Sequence, residues 1–157
     1  MEADVQKFFE RYASVFNACL GGDAGMDEAA GLYAPEFIAA SSTGVMTGKN
    51  DDQLKHVMAQ GYARYRAMGM KQMRLRDIRL SAMDGHHCVA HVAWTAIYTR
   101  KDRADAAIDF DVHYLVQMLN GLASASSLFL VAAGLLAPTR GCQYSLSVTG
   151  RFLRMAT

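Results

Sequence analysis

The sequence predicts an α+β fold, in which helices and strands occupy largely separate parts of the chain. Helical patterns dominate the first 68 residues, whereas three long strand patterns follow over residues 72–119. A parallel α/β sheet would require helices and strands to alternate. The third observation is the stretch 106–121, AAIDFDVHYLVQMLNG, which predicts a long strand ending in an Asn-Gly turn. The rest of the fold prediction is built around this strand.

The N-terminal third predicts two helices. Apolar residues at helical spacing indicate a helix over residues 4–20, and Gly21–Gly22 end it because glycine tolerates the left-handed cap. A shorter helix is predicted from Met26 to Tyr33. Pro35 ends this helix, since the residue before a proline is pushed out of helical geometry.

Two short strands and a third helix follow. The strands are predicted over residues 37–42 and 45–47. Asn50 and Gln53 then form a capping-box-like pattern, which predicts that Asn50 caps a helix ending at Gly69. The apolar residues of this helix recur on one face, so we expect it to pack against the sheet.

The long strands form a predicted antiparallel meander. Residues 72–83 and 86–99 flank Asp84–Gly85, a hairpin turn signal. Asn120–Gly121 gives a second such signal, and another strand is expected within 127–136. We expect the sheet to curve around the first and third helices, because this buries both apolar stripes.

Composition indicates one ordinary globular domain. The chain has 157 residues, 52% of them hydrophobic, and a formal net charge of +1. We expect a single domain over residues 1–137 and a tail of uncertain structure over 138–157. The tail has no clear periodicity, and disorder, an added strand and an atypical end to the coding region stay open.

Charge and cysteine content exclude several classes of partner. No basic stripe is present, so nucleic acid is not expected as a partner. Three scattered cysteines give neither a disulfide framework nor zinc spacing, which favours a reducing cytoplasm.

The first residues lack the pattern of an export signal. The apolar run 128–137 is too short to span a membrane, so no membrane role is expected.

The predicted strand at 106–121 separates its side chains between two faces. Because strand side chains alternate, one face carries two acids and a histidine, and the other is entirely apolar or aromatic. The first face comprises Asp109, Asp111, His113, Leu115 and Gln117, and the second comprises Phe110, Val112, Tyr114, Val116 and Met118. The first face predicts a polar spot in an apolar pocket.

Several short motifs accompany this order of elements. They are Arg11–Tyr12 followed by Asn17–Ala18, the LYAPEF segment at 32–37, Gly44 and Gly48 before the third helix, and the strand that ends in Asn120–Gly121. Over residues 5–121 the chain thereby resembles the NTF2-like superfamily, the cone-shaped fold of the SnoaL-like and ketosteroid-isomerase families. The resemblance implies a strongly curved antiparallel sheet around three N-terminal helices, with a cavity between them.

The resemblance also suggests positions for functional groups. Ketosteroid isomerases use a tyrosine on the first helix, an acid on the strand before the last turn, and an aspartate base on the first strand. By resemblance Tyr12 matches the tyrosine, and His113 lies at the acid position or two residues from it. The base position falls near Ser41, where no aspartate occurs. This argues against steroid isomerisation, because proton abstraction needs a positioned base.

We therefore predict a polar centre built on Tyr12 and His113. His113 would act as the acid and base, Tyr12 as a hydrogen-bond donor, and Asp111 or Asp109 as the group that orients His113. The alternatives are a core tyrosine, a satisfied strand histidine and a solvated strand end. The predicted pocket lining, for which core packing is the alternative, comprises Trp94, Tyr98, Leu115, Gln117, Tyr62 and Met58.

The resulting functional hypothesis is a small-molecule binder. We expect a small hydrophobic or carbonyl-bearing ligand in the cone, with isomerase-, dehydratase- or cyclase-like proton transfer as a further option. The alternative is a non-catalytic association module, and a homodimer through the sheet is expected in either case. No cofactor is expected. No metal is expected either, because His86, His87 and His91 lack a ligand spacing.

Overall fold

A computed structural model of the protein describes residues 2–41, 44–100, 104–119 and 122–129, with the backbone alone described at residues 41, 119 and 122–129. The described chain forms three helices, α1 (Glu2–Gly21), α2 (Met26–Ala30) and α3 (Asp52–Ala67). It also forms six strands, which are β1 (Tyr33–Ser41), β2 (Gly44–Lys49), β3 (Met70–Ala82), β4 (His87–Tyr98), β5 (Ala106–Leu119) and β6 (Leu122–Phe129).

The strands form one open sheet in the order β2-β1-β6-β5-β4-β3. All neighbouring pairs are antiparallel except β1 and β6, which are parallel. Register shifts interrupt β3 at two places along its pairing with β4. Such bulges bend a strand and increase its twist. The predicted α+β class and the antiparallel meander of long strands are thus confirmed.

The helix α1 packs its apolar face against the sheet. Phe9 is fully buried, and its ring centroid lies 4.8 Å from that of Tyr114 on β5. Trp94 on β4 is also fully buried and contacts the same helix. Burial of such large rings supplies several kcal/mol each, at roughly 25 cal/mol per Å² of apolar surface. The contact between α1 and β3–β5 therefore forms the centre of the core.

Two polar side chains fix α1 relative to its neighbours. The Asn17 side chain donates to the Met73 carbonyl at 2.9 Å and accepts from the Met73 N–H at 2.8 Å. The Arg66 guanidinium of α3 donates to the carbonyls of Cys19 and Leu20 at the end of α1. These bonds satisfy backbone groups that the helix end and the strand edge would otherwise leave unpaired.

The start of α3 differs from the prediction by one residue. Asp51, rather than Asn50, is the N-cap, and its carboxylate accepts from the Leu54 N–H at 3.1 Å. The Asn50 side chain instead donates to the carbonyls of Ala30 and Tyr33. An amide has two donors and a carboxylate has none, so Asn50 suits the carbonyls and Asp51 suits the exposed N–H groups.

Two other boundaries are also corrected. The helix α2 ends at Ala30, and Pro35 lies inside β1 rather than before it. Proline fits there because the β1–β6 register shifts between Tyr33 and Ile38, where a missing N–H costs no regular ladder bond. The last described strand begins at Leu122, not within 127–136.

Some expectations fall outside the described residues. They include the turn predicted at Asn120–Gly121 and the tail over 138–157; the described residues Leu119 and Leu122 are paired with each other. Among the described residues, no helix is long and apolar enough to cross a membrane.

We expect Gly48→Ala to destabilise the protein. A Cβ at Gly48 would lie 2.5 Å from Cζ of Phe37, which is buried, so the ring would have to move. Overpacking of this kind costs about 1–3 kcal/mol, measurable by urea unfolding. Gly61→Ala is the control, because nothing lies within 4 Å of its new Cβ. This change inside α3 should stabilise by about 0.5–1 kcal/mol, and equal effects of the two substitutions would contradict the packing described.

Candidate functional site

The strands β4 and β5 present two chemically different faces. Even-numbered residues of both strands face α1, and most of them are buried, among them Val92, Trp94, Val112 and Tyr114. Odd-numbered residues lie on the outer face and are half-buried or exposed. This separation confirms the predicted division of β5 side chains between two faces, and each face holds a separate polar cluster.

The inner face carries a group of rings that bear polar hydrogens, here called the aromatic cluster (Tyr12, Tyr33, Trp94 and Tyr114). The hydroxyls of Tyr12 and Tyr33 are hydrogen bonded at 2.8 Å. The Tyr12 ring centroid lies 5.7 Å from that of Trp94 and 5.8 Å from that of Tyr114. Helix α1 contributes the first ring, β1 the second, and β4 and β5 the others. The fold thus gathers polar ring atoms from four elements inside an apolar core.

The indole N–H of Trp94 is the unpaired donor of this cluster. Trp94 is fully buried, and no described residue accepts a hydrogen bond from its Nε1. Burial raises the pKa of Tyr114, and the nearby indole offsets part of that rise without forming a hydrogen bond of ordinary geometry. A buried donor without an acceptor costs roughly 1–3 kcal/mol, so an acceptor brought to this atom would gain that energy.

Burial keeps the phenols of the cluster neutral. It raises the pKa of Tyr12, Tyr33 and Tyr114 well above the usual value of a phenol. Among the described residues, no Asp, Glu, His, Lys or Arg side chain is buried. The interior can therefore donate hydrogen bonds to a neutral oxygen, but its described residues offer no general base near neutral pH.

The outer face holds charged residues that the chain pairs internally. The Arg76 guanidinium lies 3.3 Å from the Asp109 carboxylate and 3.8 Å from that of Asp111. The Thr95 hydroxyl donates to Asp109 at 2.6 Å. All three charged side chains are substantially exposed, so each ion pair contributes at most about 1 kcal/mol.

Two histidines meet beside this charged group. His91 and His113 are directly opposite in the β4–β5 register, and their ring centroids lie 4.6 Å apart. His91 Nε2 lies 3.1 Å from the Ser81 hydroxyl. Burial lowers the pKa of His91, and His113 and Arg79 lower it further. Among the described residues, no three metal-ligating side chains form a group.

The predicted polar centre is not assembled. Val112 and Tyr114 face α1, so His113 between them faces outward, as do Asp109 and Asp111. Tyr12 lies on the inner side, so the sheet separates it from all three. The structure therefore does not bring these four side chains together. The alternation of the strand is predicted correctly, and its polar face lies on the outer side of the sheet, away from Tyr12.

The predicted pocket lining divides in the same way. Leu115 and Gln117 lie on the outer face and do not line the interior. The other four pack within or against the core, and they are Trp94, Tyr62, Met58 and Tyr98. The side chain of Ser41, at the position expected for a base, lies outside the described residues.

Sequence reasoning misses three residues that the fold brings into these clusters. The helical pattern places Tyr33 at the end of α2, whereas Tyr33 starts β1 and pairs with Tyr12. The alternation of β5 assigns Tyr114 to the apolar face without a polar role. Sequence proximity groups His91 with His86 and His87, although its partner is His113 on the next strand. The pairing of the two histidines follows from the β4–β5 register, which starts with Tyr98 opposite Ala106, and neither predicted turn motif lies between these two strands.

We expect stability to fall steeply at alkaline pH. The buried and partly buried tyrosines have raised pKa values in the folded state, about 12 for the partly buried Tyr65, against about 10 when unfolded. Stability is therefore fully present below about pH 10 and is lost above it, by roughly 1.4 kcal/mol per pH unit for each such tyrosine. Urea unfolding from neutral to alkaline pH measures this slope. Tyr12→Phe removes one titrating group and should flatten it, and a flat wild-type profile would contradict the burial described.

Comparisons with solved structures and with a family model agree with this architecture. Comparison with curated proteins gives no match. Solved structures similar to this chain include a function unknown protein from Mycobacterium tuberculosis (11% identity, 83% of this chain and 74% of that chain, TM-score 0.62). The protein Aln2 from a Streptomyces species is another (14% identity, 83% of this chain and 89% of that chain, TM-score 0.60). A putative calcium/calmodulin dependent protein kinase II association domain from Xanthomonas campestris is a third (12% identity, 80% of this chain and 82% of that chain, TM-score 0.58). At these identities they show the fold alone. The family model described as NTF2-like protein (DUF6841) matches residues 2–121, and the chain therefore belongs to this NTF2-like family.

Proposed function

We propose that the protein binds a small, uncharged hydrophobic molecule whose carbonyl oxygen accepts a hydrogen bond in the aromatic cluster. The observation that carries this proposal is the fully buried Trp94 Nε1, for which no described residue supplies an acceptor. The Tyr12–Tyr33 hydroxyl pair lies beside the same indole ring and offers a further donor. A carbonyl oxygen has two lone pairs and accepts from two such donors.

The electrostatics of the core favour a neutral ligand. The core cluster of described residues offers no counter-charge, and an isolated ion is strongly disfavoured in an apolar interior. The raised pKa values of Tyr12 and Tyr33 keep both phenols protonated. The ligand class is therefore an apolar body with one neutral oxygen acceptor.

Binding without turnover suits this arrangement better than proton transfer. The described core supplies hydrogen-bond donors, and a reaction next to a carbonyl also requires a base. The acid and base role predicted for His113, with Asp109 or Asp111 as its orienting group, has no support here. All three side chains lie on the outer face, across the sheet from the core. A cytoplasmic location stays a prediction.

The experiment compares two ligands of nearly equal shape. Trp94 is the only tryptophan of the chain, so its fluorescence reports on the core directly. The probes are cyclohexyl methyl ketone and isopropylcyclohexane, which differ mainly in the carbonyl oxygen. We expect saturable binding of the ketone about tenfold tighter than that of the hydrocarbon, because only the ketone pairs with the buried donors. Equal affinities would refute the proposal.

Two tyrosine variants test whether the cluster supplies the donor. Tyr12→Phe should weaken ketone binding several-fold and leave the hydrocarbon unaffected, since it removes one hydroxyl and little volume. Tyr65→Phe is the matched control, because Tyr65 packs against Phe16 and Tyr62 outside the cluster. A loss of ketone affinity in both variants alike would indicate a general packing effect instead.

Homodimerisation through the outer face of β3–β5 is the second candidate. Half-buried apolar side chains lie in the middle of this face, among them Val89, Ala93, Ile97 and Leu115. The similarity in fold to a protein described as an association domain supports the same idea. Contacts between sheets of this kind form isologous dimers when the patch is self-complementary.

Sedimentation equilibrium tests the dimer. We expect wild type to sediment as a dimer and Leu115→Lys as a monomer, because a buried ammonium is strongly disfavoured at an interface. Met83→Lys is the control, since Met83 is 61% exposed beside the β3–β4 turn and lies away from this patch. A monomeric wild type, or a dimeric Leu115→Lys variant, would exclude this interface.

A further inference from the structure

The outer face brings together two imidazoles that are far apart in the sequence. His91 on β4 and His113 on β5 are direct cross-strand partners. Their ring centroids lie 4.6 Å apart, with an angle of 84° between the ring planes. Both rings are half-buried in the face opposite the aromatic cluster, so they play no part in the ligand site proposed above.

The separation of these rings matches that of two imidazoles bound to one metal ion. With a metal–nitrogen distance of about 2.1 Å, two ligating rings have centroids about 4.6 Å apart at a right angle and about 5.3 Å apart at the tetrahedral angle. The observed 4.6 Å equals the first value. Right-angled nitrogen ligands are typical of tetragonal Cu²⁺ or Ni²⁺ sites. Chelation at this distance requires each ring to direct one nitrogen toward a common point.

The Ser81 hydroxyl supplies the second contact of a metal-ligating histidine. Such histidines commonly donate their other ring N–H to a nearby oxygen, which fixes the tautomer. His91 Nε2 lies 3.1 Å from Ser81 Oγ, so donation there leaves the Nδ1 lone pair for a metal ion. In the tautomer that donates from Nε2, the metal-binding nitrogen of His91 is Nδ1.

The charges around the pair do not favour a cation, since burial lowers the pKa of His91 and Arg79 lowers it further. Arg79 is the cross-strand neighbour of His91 on β3 and lies 3.9 Å from the Asp77 carboxylate. Asp111 lies two residues before His113 on the same face and pairs with Arg76. Affinity must therefore come from the two imidazoles, which favours transition metals over Mg²⁺ or Ca²⁺.

We propose that His91 and His113 form a bidentate site for a divalent transition-metal ion on the outer face, with water completing its coordination. The site uses one side chain from each of two neighbouring strands, whose register holds the rings at chelating distance. It lies across the sheet from the aromatic cluster and is independent of the small-molecule function. Because Ala93 and Leu115 flank it on the same face, the metal site and the dimer are alternative uses of this surface.

Copper titration of the full-length protein tests this site. Calorimetry in a glycine buffer, which competes for weakly held Cu²⁺, should show a saturable site, and Mg²⁺ should show none. Electron paramagnetic resonance of the complex should show hyperfine coupling to two imidazole nitrogens. His91→Gln and His113→Gln should each weaken binding by about tenfold or more, because each removes one of two ligands.

The matched control is the double variant His86→Gln/His87→Gln. It removes the two histidines of the β3–β4 turn, where His87 contacts Asp84, and should leave copper affinity unchanged. Unchanged Trp94 fluorescence and thermal unfolding show that the outer-face variants remain folded. The proposal is overturned if only the turn variant loses binding, if neither outer-face variant loses it, or if wild type binds no copper in this buffer.

Discussion

The packing of α1 against β4 and β5 is the interaction on which the rest of the structure depends. Phe9 and Tyr12 lie one turn apart on the helix and contact Trp94 and Tyr114 on the sheet. This contact determines which face of the sheet is buried and which is in contact with solvent. Because strand side chains alternate, the same choice sends every intervening residue of β4 and β5 outward. The inner and outer chemistry of the protein therefore follow from a single packing arrangement.

The two faces obtained in this way differ in the kind of chemistry they support. The inner face offers neutral donors in an apolar setting, where a hydrogen bond is electrostatically stronger than in water. The outer face offers charged and imidazole groups in contact with solvent, where ion pairs are screened and weak. A neutral ligand suits the first environment, whereas a metal ion or a second protein chain suits the second.

Local sequence signals predict most of the secondary structure. The amphipathic pattern of α1, the Asp84–Gly85 turn and the alternation of β5 depend only on neighbouring residues, and the structure confirms them. The choice of Asp51 over Asn50 as the cap depends on where the Asn50 amide finds carbonyls, and this is a tertiary contact. The parallel pairing of β1 with β6 is likewise non-local, so no local sequence pattern predicts it.

The candidate site is harder to predict than the fold for a specific reason. Alternation shows which residues share a face, but it does not show which face is covered by helices. Asp109 and Asp111 favour the outside, and the resemblance of His113 to a catalytic position favours the inside. The energetics of burial decide the matter, since two carboxylates are far costlier to desolvate than Tyr114. Comparing the two faces by their desolvation cost gives the correct orientation.

The bidentate contact of Asn17 with Met73 has a consequence for solubility. In the described sheet β3 is an edge strand, and the unpaired backbone groups of such an edge are a template on which another chain can add a strand. The Asn17 amide occupies both the N–H and the carbonyl of Met73, as a neighbouring strand would. Helix α1 thereby blocks one position of this edge with a single side chain, and so protects the sheet from edge-to-edge aggregation.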